Sequence, residues 1–178
     1  MTHESMLDLL ETQLPSYCQI EKKSIHENGI TVSIERDSGE VIRFFCTDCQ
    51  SARECFAMQA EGIKCCDYLL LYAREESMHT KELLCFIELK GKALHKAVDQ
   101  ICSTYKYVMQ FSRQYMDRSQ HANVTQVAAI FLHGRVPSGR SCREREKLAR
   151  IFDEKHIYMK HAVQHNHEFS RFIRNIYA

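Results

Sequence analysis

The stretch "KCCDYLLLYAREESMHTKELLCFIELKGKAL" (residues 64–94) decides the fold. It contains two apolar runs, "YLLLY" and "LLCFIEL", separated by a polar connector over 73–82. Both runs read as buried strands. Charge stands at their ends: Asp67 opens the first, and Glu88-Leu89-Lys90 closes the second. An unpaired buried ion costs roughly several kcal/mol, so these groups need water or a cation beside them. Side chains alternate along a strand, which puts Leu84, Phe86, Glu88 and Lys90 on one face and Leu83, Cys85, Ile87 and Leu89 on the other. If the connector joins the strands as an antiparallel hairpin, Tyr72 lies near Leu83, and counting outward sets Asp67 opposite Glu88. Opposed residues share a face with β-carbons about 4.5–5.5 Å apart, so the two acids repel unless a cation sits between them. Asp67 and Glu88 are placed to hold a divalent metal, with Lys90 one pleat beyond.

Upstream, Met6, Leu7, Leu10 and Leu14 form a helical stripe that stops at Pro15. Three strands are predicted over 18–25, 30–35 and 41–46, with Asn28-Gly29 and Asp37-Ser38-Gly39 as hairpin turns of an antiparallel meander. The segment "QSARECFAMQAEG" (50–62) is ambiguous between a short helix and a strand over "ECFAMQAE" (54–61), and the reading leans to strand. Downstream, Leu94, Val98, Ile101, Tyr105, Val108 and Ser112 recur at the helical period over 92–116. A buried strand follows in "VTQVAAIFLHG" (124–134), then a loop and basic helix from "RVPSGRSCRERE" (135–146). A late strand is expected in "HIYMKHAV" (156–163), and Phe169, Phe172, Ile173, Ile176 and Tyr177 mark a last amphipathic helix. The order predicts a mixed α/β (α+β) domain with a central mixed sheet flanked by helices.

The 178 residues, 44% hydrophobic, suffice for one core and are too few for two, so a single domain is expected. Its parts are an N-terminal helix and meander (1–46), a core (54–134), and a C-terminal basic loop, strand and helix (135–178). With 24 Lys+Arg against 23 Asp+Glu, any nucleic-acid surface must be a local patch. No apolar run approaches the roughly 18 residues of a membrane span, so no membrane partner is expected, and the acidic N-terminus argues against a signal peptide. Nine cysteines, an odd number, suit reduced thiols and a cytoplasmic location.

An aspartate opening one apolar strand, Glu-x-Lys closing the next, and a glutamine on the following helix together resemble the PD-(D/E)XK, or restriction-endonuclease-like, nuclease superfamily. The residues are Asp67, then Glu88, Leu89 and Lys90, then Gln100. The resemblance spans 61–111 and the strand at 127–132. It implies that Asp67, Glu88 and the Leu89 carbonyl bind Mg²⁺, with Mn²⁺ as a substitute, while Lys90 orients the attacking water and steadies developing charge. Gln100 matches the family's second-helix glutamine, but Tyr105 follows it by five residues rather than four, and Cys66 stands where a proline often precedes the aspartate. An additional upstream carboxylate is usual; Glu61, or else Glu54, takes that place. The implied activity is hydrolysis of phosphodiester bonds, in DNA rather than RNA, in restriction, repair or antiphage defence, by a homodimer or a subunit of a larger defence complex. Arg140, Arg143 and Arg145 in the basic segment are the expected phosphate contacts.

Other readings stay open. Asp67 can serve as a strand cap and Glu88/Lys90 as a surface salt bridge, leaving a non-catalytic subunit that binds nucleic acid or protein. Cys46 and Cys49, completed by Cys65 and Cys66, have the spacing of a zinc knuckle, although buried thiols explain them more simply. A late cluster of His156, His161, His165 and His167 is a weaker zinc proposal, because it straddles a strand–helix junction.

Overall fold

A computed structural model describes residues 3–20, 24–75, 81–90, 93–133, 138–161 and 166–178. Helix α1 (Met6–Gln13) begins where Ser5 accepts a hydrogen bond from the Asp8 amide at 3.0 Å. Its next free amides, Met6 and Leu7, donate at 2.6 and 3.0 Å to the carboxylate of buried Glu82. A helix start needs such acceptors, and a carboxylate there also meets the positive end of the dipole. Glu82 opens β6 (Glu82–Lys90), so this cap ties the first helix to the sheet.

The hairpin β2 (Ser24–Glu27) and β3 (Ile30–Ser33) turns through Asn28 and Gly29, whose φ values of 52° and 74° are the left-handed pair that a two-residue hairpin demands. It stands as its own two-stranded sheet. The main sheet runs β1 (Gln19–Ile20), β4 (Glu40–Cys46), β5 (Tyr68–Arg74), β6, β7 (Val124–Leu132) and β8 (Ile157–His161), in that order across the sheet. Its first four strands pair antiparallel; β7 adds in parallel after α3 (Leu94–Tyr115) and the short α4 (Arg118–Ala122), and β8 adds in parallel after α5 (Ser138–Ala149).

The mixed α+β class and the flanked mixed sheet are as expected, but two local readings are corrected. The strand expected over 54–61 is absent: α2 (Gln50–Cys55) ends there, and Phe56 and Met58 enter the core from irregular backbone. Nor do the N-terminal strands form one continuous meander. After the turn at Asp37–Gly39, β4 leaves β3 and pairs along its full length with β5.

Both faces of the sheet are covered, which explains the unbroken apolar runs of β5 and β6. Leu69, Leu71, Leu84, Phe86 and Ile130 pack against α1 and α3 residues. Leu70, Tyr72, Leu83, Cys85, Ile87 and Phe131 pack against the β2–β3 hairpin and α6 (Asn166–Tyr177). On that side Glu40 is buried and accepts from Arg174 Nε and Nη2 at 2.7 and 2.9 Å, from the Tyr72 hydroxyl at 2.6 Å and from the Asp37 amide at 2.8 Å. A buried carboxylate this fully bonded is the acceptable form of charge in a core.

Candidate functional site

The register of β5 and β6 builds the site. Tyr72 pairs with Leu83 and Tyr68 with Ile87, and one more step along the same register sets Asp67 opposite Glu88, as the connector count predicts. Asp67 is 7% exposed, and its Oδ2 accepts from the Leu89 amide at 2.7 Å. Glu88 is wholly buried. Lys90 Nζ stands 2.6 Å from Glu88 Oε1 as an ion pair, off the direction of an aligned hydrogen bond. Glu88 Oε2 has no hydrogen-bond partner among the described residues.

These contacts leave the acids strained. Burial raises Asp67 to about 6 against the opposing bond from Leu89, and Glu27 adds to the rise. Burial and then the charge of Asp67 raise Glu88 to about 8, which Lys90 only partly offsets. For Lys90, burial opposes the charge, but the contact with Glu88 outweighs it and its pKa is raised. Two close carboxylates, both resisting ionisation and one with an orphaned oxygen, form a site that the surrounding protein does not stabilise in its doubly ionised form.

Three residues on two elements fix the backbone at Asp67. Gln100 donates from Nε2 to the Cys65 carbonyl at 2.6 Å, and Thr104, one turn further along α3, accepts the Cys66 amide at 2.7 Å. The turn after β4 adds a bond from the Thr47 amide to the Asp67 carbonyl at 3.2 Å, and the Thr47 hydroxyl bonds the Cys66 carbonyl. Gln100 therefore acts on the backbone before Asp67, as a positioning residue. Its partner in that task is Thr104, four residues on, rather than Tyr105. The polar pair on a helix face otherwise apolar is the signal that could have identified it.

The hairpin tip closes the other side. Asn28 Nδ2 donates to the Leu89 carbonyl at 2.8 Å, and the adjacent Glu27 acts electrostatically on Asp67, Glu88 and Lys90. Glu27 and, more weakly, Asp48 are thus the acidic neighbours of Asp67. Glu54 is exposed and bonded to Gln50, and Glu61 is exposed. Nothing in the local sequence around Glu27 signals its role, because it lies 40 residues before Asp67 and reaches the site only by docking of the hairpin.

Two carboxylates and a carbonyl are the donor set that Mg²⁺ takes together with waters, and the orphaned Oε2 is an unfilled acceptor within it. Among the described residues, no three His, Cys, Asp or Glu side chains already converge as a complete cation cage.

The basic segment lies on α5, which packs against α3. Arg143 is exposed and lines, with Leu94, His95 and Glu144, a hollow of about 270 Å³ near the start of α3. Arg145 is engaged with Glu154, 3.6 Å away, and Lys147 with Asp99 on α3. The side chain of Arg140, like Arg135, lies outside the described residues.

The four cysteines of the zinc reading do not come together. Cys65 faces Arg53 and Met58, and Cys66 faces Thr47 and the Tyr68 carbonyl, while Cys49 meets Cys18. Of the late histidines, the side chains of His161 and His167 and all of His165 lie outside the described residues. Compared with known family models, curated proteins and solved structures, the chain matches none.

Proposed function

We propose that the protein is a metal-dependent phosphodiesterase of the PD-(D/E)XK nuclease kind, acting on nucleic acid and on DNA in preference to RNA. The observation that carries this reading is Glu88: fully buried, paired on one oxygen with Lys90, bare on the other, and set opposite a second buried acid. A structural ion pair has no use for the second carboxylate, whereas a divalent cation does. Asp67, Glu88 and the Leu89 carbonyl would hold Mg²⁺ or Mn²⁺, and Glu27 would add negative field from the hairpin. Bound there, the metal would supply positive charge to a phosphodiester as it gains negative charge in the transition state. Lys90, 23% exposed, presents its ammonium at the mouth of the site, where it would steady developing charge on the phosphate. Gln100, Thr104 and Thr47 hold the backbone that aims Asp67. Arg143, exposed at the α3–α5 hollow, would be the phosphate contact beyond the reacting group.

A role in restriction, repair or defence, in the cytoplasm and within a homodimer or larger complex, belongs to this reading. Among the described residues no helix is long and apolar enough to cross a membrane. The Asp67–Leu89 bond and the Glu88–Lys90 pair favour a second reading, a non-catalytic subunit that binds nucleic acid or protein.

Cleavage separates the two. Plasmid, linear duplex, single-stranded DNA and RNA are incubated with the protein in Mg²⁺ or Mn²⁺ and in EDTA. The nuclease reading expects metal-dependent cutting that Glu88→Ala reduces at least about 100-fold, since removing a metal ligand takes away a several-kcal/mol contribution to the transition state. No cutting of any substrate by the wild type, or equal cutting by the variant, would sink it.

A further inference from the structure

Away from the acids, three cysteines from three separate elements meet under the turn that carries Thr47. Cys18 ends the turn after α1, Cys46 ends β4, and Cys49 precedes α2. Cys18 Sγ lies 2.9 Å from Cys49 Sγ, and Cys49 Sγ is 3.8 Å from the Cys46 carbonyl. Cys18 is fully buried and Cys49 half-buried, so an outside reagent meets Cys49 first. The 2.9 Å between the sulfurs exceeds the bonded distance of about 2.0 Å by less than 1 Å.

We infer that Cys18 and Cys49 are a thiol pair that a peroxide converts to a disulfide. The Cys49 sulfur attacks one oxygen of hydrogen peroxide; the O–O bond breaks, water leaves, and Cys49 becomes a sulfenic acid. The Cys18 sulfur then attacks the Cys49 sulfur, the S–O bond breaks, and the hydroxyl departs with the Cys18 proton as a second water. Each sulfur gives up one electron, and the peroxide is reduced to two waters. Burial and the Cys49 thiol raise Cys18 to about 12, so Cys18 stays a protonated thiol at neutral pH and is the resolving rather than the first-oxidised sulfur of the pair. The pair is spatial rather than sequential, 31 residues apart, which is why the Cys46/Cys49 spacing drew attention and Cys18 did not.

The bond has a structural consequence. It would fasten the 16–18 turn to the 46–49 turn, and Thr47 in the latter holds the backbone at Cys66 and Asp67. It also closes a loop that the unfolded chain must otherwise open, so the oxidised protein should melt several degrees higher than the reduced protein.

The test uses the whole chain, reduced and then exposed to hydrogen peroxide, alkylated, digested without reductant and mapped by mass spectrometry. The expected result is a Cys18–Cys49 linked peptide, absent after dithiothreitol, with a higher melting temperature for the oxidised sample. Cys49→Ser should abolish both; because it removes only the half-buried partner, it complements Cys18→Ala if that variant folds poorly. Exposed Cys142 serves as the control for oxidant delivery. Recovery of Cys18 and Cys49 as free thiols while Cys142 is oxidised would overturn the inference. So would a Cys46–Cys49 link, or stoichiometric zinc released by Cys18→Ala.

Discussion

Replacing Glu88 by glutamine separates a strained acid from a comfortable salt bridge through stability alone. Glu88 has its folded pKa raised from 4.5 to about 8, so the folded protein holds a proton that the unfolded chain has already released. The stability tied to that proton is fully present below pH 4.5 and is lost as pH rises toward 8. At about 1.4 kcal/mol per pH unit, ionising Glu88 removes on the order of 4–5 kcal/mol by pH 8.5. Glutamine keeps the shape, can still meet Lys90, and cannot ionise. In EDTA, Glu88→Gln should therefore be the more stable protein, by about 1–2 kcal/mol at pH 5.5 and about 3 kcal/mol more than that at pH 8.5. Urea unfolding followed by far-ultraviolet circular dichroism at both pH values measures the gap, and the subtraction cancels other titrating groups that the substitution leaves alone. Adding Mg²⁺ at pH 8.5 should stabilise the wild type and narrow the difference, because a ligand of the folded state alone shifts unfolding by mass action. A gap that stays constant between pH 5.5 and 8.5 would refute the reasoning. It would mean that Glu88 is ionised throughout and satisfied by Lys90.

Three other outcomes follow from the geometry. Glu27→Gln should leave the fold intact but raise the dissociation constant for Mn²⁺ on the order of tenfold, as loss of an outer-shell group does, and unchanged calorimetric affinity would remove the hairpin from the site. Arg143→Gln should reduce the log–log salt slope of duplex binding by about 0.9, whereas Arg145→Gln should change it less because Glu154 already neutralises that side chain; identical slopes for Arg143→Gln and wild type would mean that α5 is a solvated face with no phosphate contact. Burial disfavours the Glu40 charge, yet the bonds from Arg174 and Tyr72 prevail and lower its pKa to about 2, so its stabilisation is present above pH 4.5 and fades as pH falls toward 2. Glu40→Ala should cost about 1–3 kcal/mol at pH 7 by leaving the buried Tyr72 hydroxyl without its acceptor, while Arg174 keeps Asp37 and the Glu35 carbonyl, and a denaturation midpoint within error of wild type would contradict this.

What was legible in the sequence was whatever short-range periodicity encodes. The ten-residue connector and the two apolar runs were enough to set Tyr72 against Leu83, and hence Asp67 opposite Glu88, because side-chain alternation leaves no freedom once the hairpin closes. The spacing of Leu94, Val98 and Ile101 likewise marked α3, since only a helix presents such residues on one face. Short apolar segments carry no such constraint. The run at 54–61 fitted a strand as well as a helix end, and the structure resolves it by letting Phe56 and Met58 fill the core from irregular backbone. The divergence of β4 from β3 depended on which strand offered the longer partner, and β5 pairs with it over seven residues. The third acid, the orphaned oxygen and the thiol pair were invisible for a common reason. Glu27 reaches Asp67 only because Asn28 docks on the Leu89 carbonyl, and Cys18 reaches Cys49 only because α1 packs on the sheet. Alternation and helical period arise from steric rules between neighbours in the chain, so the sequence alone can express them. Convergence of distant side chains, and the burial that raises Asp67 and Glu88, arise from packing that exists only once the sheet has both faces covered.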